Sequence, residues 1–301
     1  MRAALLAAVV LACPGSAGGG LRGVLPGPPI DVVAAGGPAR LPLDAYELDD
    51  GDLDLVDQAQ EILVADCMRE RGFDYEPLPD AAGGGSSASA ELQQRPETFA
   101  SYGLTSERDA RRYGYRGPAI AWLAGLDTTG PSLTERFGAG YVAALVSPSG
   151  CADRASAELR GATAGELAEP DHVANTTGRL SAEAVRRTEG DDRVVDAVRQ
   201  WSRCMAAAGH DYATPLDPVR EFSEGLVLEP GVTVPPPVEG EIATGVDDVH
   251  CKRAVDLEAV WRSVESAYQR VLIEESRAEL TEYSRWLDAL VGRARRIVGG
   301  A

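Results

Sequence analysis

The stretch "VADCMRERGFDYEPLPD" (Val64 to Asp80) recurs in outline as "WSRCMAAAGHDYATPLDP" (Trp201 to Pro218). Both run Cys-Met, three residues, glycine, one residue, Asp-Tyr, then proline. Upstream of the first, Val56, Ala59, Leu63 and Cys67 return at helical spacing behind the acids of Asp49 to Asp54. Upstream of the second, Val194, Val198, Trp201 and Met205 do the same. The pattern predicts an amphipathic helix ending at Gly72 in one place and at Gly209 in the other. Past each glycine a proline forbids further helix, so Tyr75 and Tyr212 are expected to fold back and pack on the turn before them. A chain that repeats a helix end reads as two related helical halves.

The cysteines sort the same way. Apart from Cys13 there are four, Cys67, Cys151, Cys204 and Cys251, which allow three disulfide connectivities. Each half holds a Cys-Met at a helix end and one later cysteine that is read as opening a helix, in "GCADRASAEL" and "HCKRAVDLEAV". That parallel favours Cys67–Cys151 with Cys204–Cys251. Zinc is the rival use, since Cys204, His210, His250 and Cys251 are suitable ligand types. In the first half, however, Phe73 and Gly150 stand where the two histidines would be. Zinc would therefore account for one cysteine pair and disulfides for both.

Disulfides require export, and the N-terminus supplies a signal for it. "MRAALLAAVVLACPGSAGGG" has one arginine, an apolar run from Ala3 to Ala12 and then Cys13. The run is too short for a transmembrane helix. "VLAC" resembles the bacterial lipobox, whose cysteine is acylated and becomes the mature N-terminus, so Cys13 is the candidate lipidation site and the membrane the implied partner. Cleavage near Ala17 with free secretion is the alternative. Residues 1–13 then form the signal, 14–40 a Gly/Pro-rich tether, 41–177 the first half and 178–298 the second.

The second half closes on the most regular segment of the chain. No glycine or proline occurs from Asp247 until Gly292, and one continuous helix over that distance would run about 68 Å, so it is expected to bend, break or protrude. Leu257, Trp261, Val264, Tyr268 and Val271 form one apolar stripe. Ile273, Leu280, Tyr283, Leu287, Leu290, Ala294 and Ile297 form another on nearly the opposite side. The simplest account packs the first stripe on one half and the second on the other. The rival gives the late stripe to a second protomer or an envelope protein partner.

Composition limits function. The formal charge is −18, which argues against nucleic-acid binding driven by counterion release. Of 29 basic residues only Lys252 is lysine. No nucleophile elbow, phosphate-binding loop or zinc-protease motif occurs, so no catalytic residue, metal ligand or cofactor is assigned. Asp50, Asp52, Asp54 and Glu61 fall at calcium-loop places, but Leu55 occupies the place that needs glycine, and a capped helix start reads better. "RRYGYRGPAIAWL" gathers Tyr113, Tyr115, Arg116 and Trp122, candidates to line a groove for sugar or peptide, with packing as the plainer role.

"LPLDAYEL", the two Cys-Met elements, "YGYR", the Gly150-Cys151 pair and "DVHCKRAVDLEAVWRSVESAYQRVLIEE" resemble a family of uncharacterised exported proteins and lipoproteins of actinobacteria. The resemblance covers most of the chain from Leu41 onward and implies an envelope location and a helical layout, with no activity. The expectation is an all-α, disulfide-stapled extracytoplasmic protein that acts by binding or as an accessory subunit. A carboxylate-based hydrolase outside the cytoplasm is the alternative.

Overall fold

A computed structural model describes residues 27–30, 40–75, 102–116, 133–161, 173, 175–223 and 236–300. The regular secondary structure of these residues is helical, with no strand among them. Their helices are α1 (Asp50–Glu70), α2 (Glu107–Tyr113), α3 (Leu133–Phe137), α4 (Ala139–Val146), α5 (Cys151–Arg160), α6 (Thr176–Glu189), α7 (Asp192–Ala207), α8 (Asp217–Ser223), α9 (Glu239–Ala254), α10 (Leu257–Glu275) and α11 (Arg277–Gly300). Short 3-10 turns lie at Pro42–Tyr46 and Gly114–Arg116.

Both repeated elements end their helices in one way. Gly72 has φ +83° and Gly209 φ +97°, a backbone conformation that glycine adopts without steric cost. The amide of the next residue turns back onto the methionine carbonyl, Phe73 onto Met68 and His210 onto Met205, each at 2.9 Å. The glycine amides reach Arg69 at 3.0 Å and Ala206 at 3.1 Å, which completes a Schellman stop in both places. The tyrosines fold back as expected. Tyr75 donates to Glu61 at 2.8 Å, and Ser202 holds the Tyr212 carbonyl at 2.6 Å.

The disulfides are Cys67–Cys151 and Cys204–Cys251, each with Cα atoms 5.6 Å apart. Sequence separations of 84 and 47 residues give loop-closure contributions of about 4 to 5 kcal/mol apiece. The likeness of the halves stops there. Cys151 opens α5, whereas Cys251 lies in the last turn of α9, because that helix begins at Glu239 and has already run three turns before the cysteine.

Two bodies of core result. One joins α1, α3, α4, α5 and α11: Val64, Met68, Tyr141 and Leu145 pack around the first disulfide, and Val56, Ala59, Leu159, Leu290, Val291 and Ala294 fill the space beneath α11. The other joins α6, α7, α9 and α10 around Trp201, Met205, Leu257, Trp261 and Val264. Chain order does not follow this division. Residues 102–116, assigned by sequence to the first half, lie on α9, where Leu104, Ala110 and Tyr115 meet Val249. Leu43 sits on α6 and α10 for the same reason, with its amide donating to buried Gln269 at 3.0 Å.

The C-terminal segment breaks twice. Asp256 takes a left-handed conformation at φ +51°, and the helix stops again at Ser276. The breaks redirect the chain: α10 faces α6 and α7, and α11, about 36 Å long, meets α6 near its start through Leu280 and Tyr283 and lies on α1 and α5 further along. Leu280, Tyr283, Leu290 and Ala294 of the late stripe are thus buried by the chain itself, with Ile273, Leu287 and Ile297 partly so. Acids crowd the start of α1 as helix caps, with Asp49 accepting from the Asp52 amide at 2.9 Å, so the calcium-like sequence is helical and its carboxylates fan around the axis.

Part of the predicted tether is docked. Arg193 donates to the Pro28 carbonyl at 3.0 Å, and Ile30 packs beside Tyr102, Val194 and Trp261. A Cβ on Gly27 would come too close to the Asp191 carboxylate and the Arg193 guanidinium, so a larger residue there requires those side chains to shift.

Removal of residues 277–301 strips Leu280, Leu290 and Val291 from their contacts, at about 1.5–3 kcal/mol each, a loss on the scale of a whole domain's stability. Thermal unfolding followed by circular dichroism is expected to lose its cooperative transition in that truncation. A sharp transition near the parent midpoint would contradict the packing of α11.

Candidate functional site

The densest chemistry lies in the second core, on the inner face of α9. This helix carries Glu241, Thr244, Asp248 and Lys252 at spacings of three and four residues, one turn after another on one side. All four are buried, Glu241 and Asp248 completely, in a region where unpaired polar groups would cost several kcal/mol.

Asp248 is satisfied from three directions. Trp201 of α7 donates its indole N–H to Oδ1 at 2.9 Å, Tyr115 donates its hydroxyl to Oδ2 at 3.2 Å, and Lys252 donates Nζ to Oδ2 at 2.8 Å. Lys252 also donates to the Leu104 carbonyl at 2.8 Å. Glu241 accepts from the Tyr115 amide at 3.0 Å. The cluster therefore sews residues 102–116 and α7 to α9. Burial pushes the Asp248 carboxyl well above its usual range, opposed by Lys252 and by the indole and phenol hydrogen bonds. Burial likewise pulls the Lys252 ammonium down, opposed by Asp248. The phenol of Tyr115 is driven far up by burial and then by the Asp248 charge, and stays protonated as a donor.

Around this cluster lie the second disulfide and both described histidines. His210 pairs with Asp247 at 3.1 Å, while His250 pairs with Glu107 of α2 at 3.2 Å. The zinc alternative fails on this arrangement: the Cys204 and Cys251 sulfurs are bonded to each other, and the histidines face different carboxylates. Among the described residues no group of three or more His, Cys, Asp or Glu is placed to hold a metal ion.

The aromatic candidates divide. Tyr115 is 1% exposed, stacks on Phe222 with ring centroids 5.4 Å apart, and has no face for a ligand. It is turned inward because Asp248 and Glu241 need its hydroxyl and amide. Tyr113 is half-buried with the Arg112 guanidinium 5.0 Å over its ring. Arg116 belongs to the 3-10 turn after α2, but its side chain and the whole of Trp122 lie outside the described residues, as does Cys13. A shallow groove does run beside the cluster, lined by Thr105, Val249, Lys252, Arg253, Asp256 and Glu258.

Sequence reading missed Asp248, Lys252 and Glu241. The signal was available in part: the sole lysine of the chain stands four residues after an aspartate, on the face that buries Val249. Comparison with protein-family models, with curated proteins and with solved structures gives no match.

Asp248→Ala leaves the Lys252 amine, the Trp201 indole and the Tyr115 hydroxyl without their acceptor. The expected cost is about 3–5 kcal/mol, read from urea denaturation. A loss below about 1 kcal/mol, as for an exposed pair, would show that the cluster contributes little.

Proposed function

We propose that this protein is exported, is held on the outer face of the cell membrane by a lipid on Cys13, and works there by binding, as an accessory to a larger envelope assembly. The observation that carries the reading is the pair of disulfides. They consume every cysteine after the signal and leave Cys13 as the only other one. Stable disulfides belong to oxidising compartments, and no helix among the described residues is long and apolar enough to cross a membrane. An N-terminal lipid supplies the attachment that the helices do not.

Binding falls to the polar surface. Among the described residues the exposed large apolar side chains are Leu53, Val146 and Val238, which sit on separate elements and make no patch. With the α11 stripe occupied by α1 and α5, a partner meets the outer faces of the helices. The net charge of −18 favours one with a basic contact face. The docked Gly27 limits the reach of the anchor, since the fourteen residues back to Cys13 span at most about 50 Å fully extended. The carboxylate-hydrolase alternative draws no support from Asp248, because both of its oxygens are taken by internal donors.

Expression of the whole precursor in a lipoprotein-processing bacterium, followed by detergent phase partition, tests the attachment. The native protein is expected in the detergent phase with a mass that begins at an acylated Cys13, and Cys13→Ser in the aqueous phase or uncleaved. A native protein that keeps Met1 overturns export, and an unmodified product cleaved near Ala17 replaces the anchor with secretion.

A further inference from the structure

The basic residues of this chain are arginines at every position except one, and that exception has a place in the fold. Lys252 is 3% exposed, and its amine lies 2.8 Å from Oδ2 of an aspartate that is fully buried one helical turn before it. If a permanent cation were the requirement, arginine would meet it better, since its guanidinium is never deprotonated and grips a carboxylate with two bonds. What lysine offers in its place is a primary amine able to lose its proton when desolvated.

We propose that Asp248 and Lys252 condense into an amide, an intrahelical crosslink between carboxyl and amine side chains that releases one water. An i, i+4 pair lies stacked on one helix face, so the bond can close without unwinding α9. Each atom the reaction involves is already held. The Leu104 carbonyl fixes Nζ at 2.8 Å. The Trp201 indole N–H, 2.9 Å from Oδ1, stands where negative charge gathers when nitrogen adds to the carboxyl carbon, and Oδ1 becomes the amide oxygen. The Tyr115 hydroxyl, 3.2 Å from Oδ2, faces the oxygen that leaves.

Proton transfer from the ammonium to the carboxylate gives the acid and the free amine. The direction in which burial displaces both groups favours these reacting forms. The nitrogen lone pair attacks Cγ, forming the C–N bond. The Cγ–Oδ2 bond then breaks, and Oδ2 departs as water with the carboxyl proton and one proton from nitrogen, passed on by Tyr115. No electron changes hands and no co-reactant is needed. Groups held in contact react with effective concentrations of about 10⁵ M or more, which offsets the reluctance of a carboxyl group toward an amine. Lys252 also borders the groove formed with Thr105, Val249 and Arg253, which gives the water a way out.

The product is a third covalent staple, next to the second disulfide and indifferent to reductant. The test is intact-mass spectrometry on the purified, reduced full chain, with Lys252→Arg as reference and an amine-specific label applied in denaturant. The expected wild-type mass is one water below that of its sequence. Lys252, the one side-chain amine present, should take no label, and a peptide in which Asp248 and Lys252 are joined should resist cleavage after the lysine. Lys252→Arg is expected at full mass. A wild-type chain of full mass with labelled Lys252 overturns the proposal and leaves an ordinary buried ion pair. The same deficit in Lys252→Arg also overturns it, by placing the dehydration elsewhere, such as at Asp50-Gly51.

Discussion

A carboxylate sealed away from water must be met by donors, and the Asp248 carboxylate draws its donors from three separate parts of the chain. Trp201 comes from α7, Tyr115 from the turn after α2, and Lys252 from α9 itself. To bring them together the fold has to lay residues 102–116 across α9, although chain order would place them with the first core. The Leu104 carbonyl, bound by Lys252, pins the start of the same segment. Hydrophobic contact alone fixes such a placement loosely, since Leu104 and Ala110 would accept several registers. The polar cluster accepts one, because each shift leaves a buried donor or acceptor empty at a cost of about 1–3 kcal/mol.

Sulfur and charge share α9 between them. Cys251 ties the helix to Cys204 at the end of α7, and its neighbours Asp248 and Lys252 tie it to Tyr115 and Leu104. The first core has a disulfide in the corresponding position but, among the described residues, no such buried cluster. There Arg71 reaches the Ala144 and Ser149 carbonyls, Tyr75 donates to Glu61 and Arg154 pairs with Glu70, all nearer the surface than Asp248. The two cores therefore depend differently on their surroundings. Reduction removes the main restraint on the first, while the second keeps its polar ties.

The features that followed from sequence were those decided within one or two helical turns. Gly72 and Gly209 are left-handed because the residues on either side exhaust the helix, and Asp49 caps because its oxygen meets a free amide nearby. The disulfide partners followed from the repeated Cys-Met. The opposed stripes of the last segment also announced that its ends serve different cores. A bend or break was expected, but its positions were not announced: Asp256 is left-handed without being glycine, and Ser276 interrupts a run with strong helix formers on both sides. Both are imposed by what α10 and α11 pack against, which local preference does not encode. The buried cluster escaped for a related reason. Asp248 and Lys252 look like a solvated ion pair until Tyr115 and Trp201, 133 and 47 residues away, close over them.

That closure bears on where function can reside. The polar groups most strongly perturbed by burial are turned inward and fully engaged, so they set shape. The apolar stripes are turned largely to the protein's own cores in the same way, α11 to α1, α5 and α6 and α10 to α6 and α7. What remains outside is charge, mostly negative, on a scaffold held by two disulfides and tied at Gly27–Ile30 to its own second core. On the binding role proposed above, a surface of that kind would discriminate partners by electrostatic fit and orientation, and two disulfides would leave less ordering to occur on contact. The docked segment adds direction: Gly27–Ile30 lies beside Asp191 and Arg193, at the start of α7, so the proposed anchor, if attached upstream, would present the same face of the protein each time.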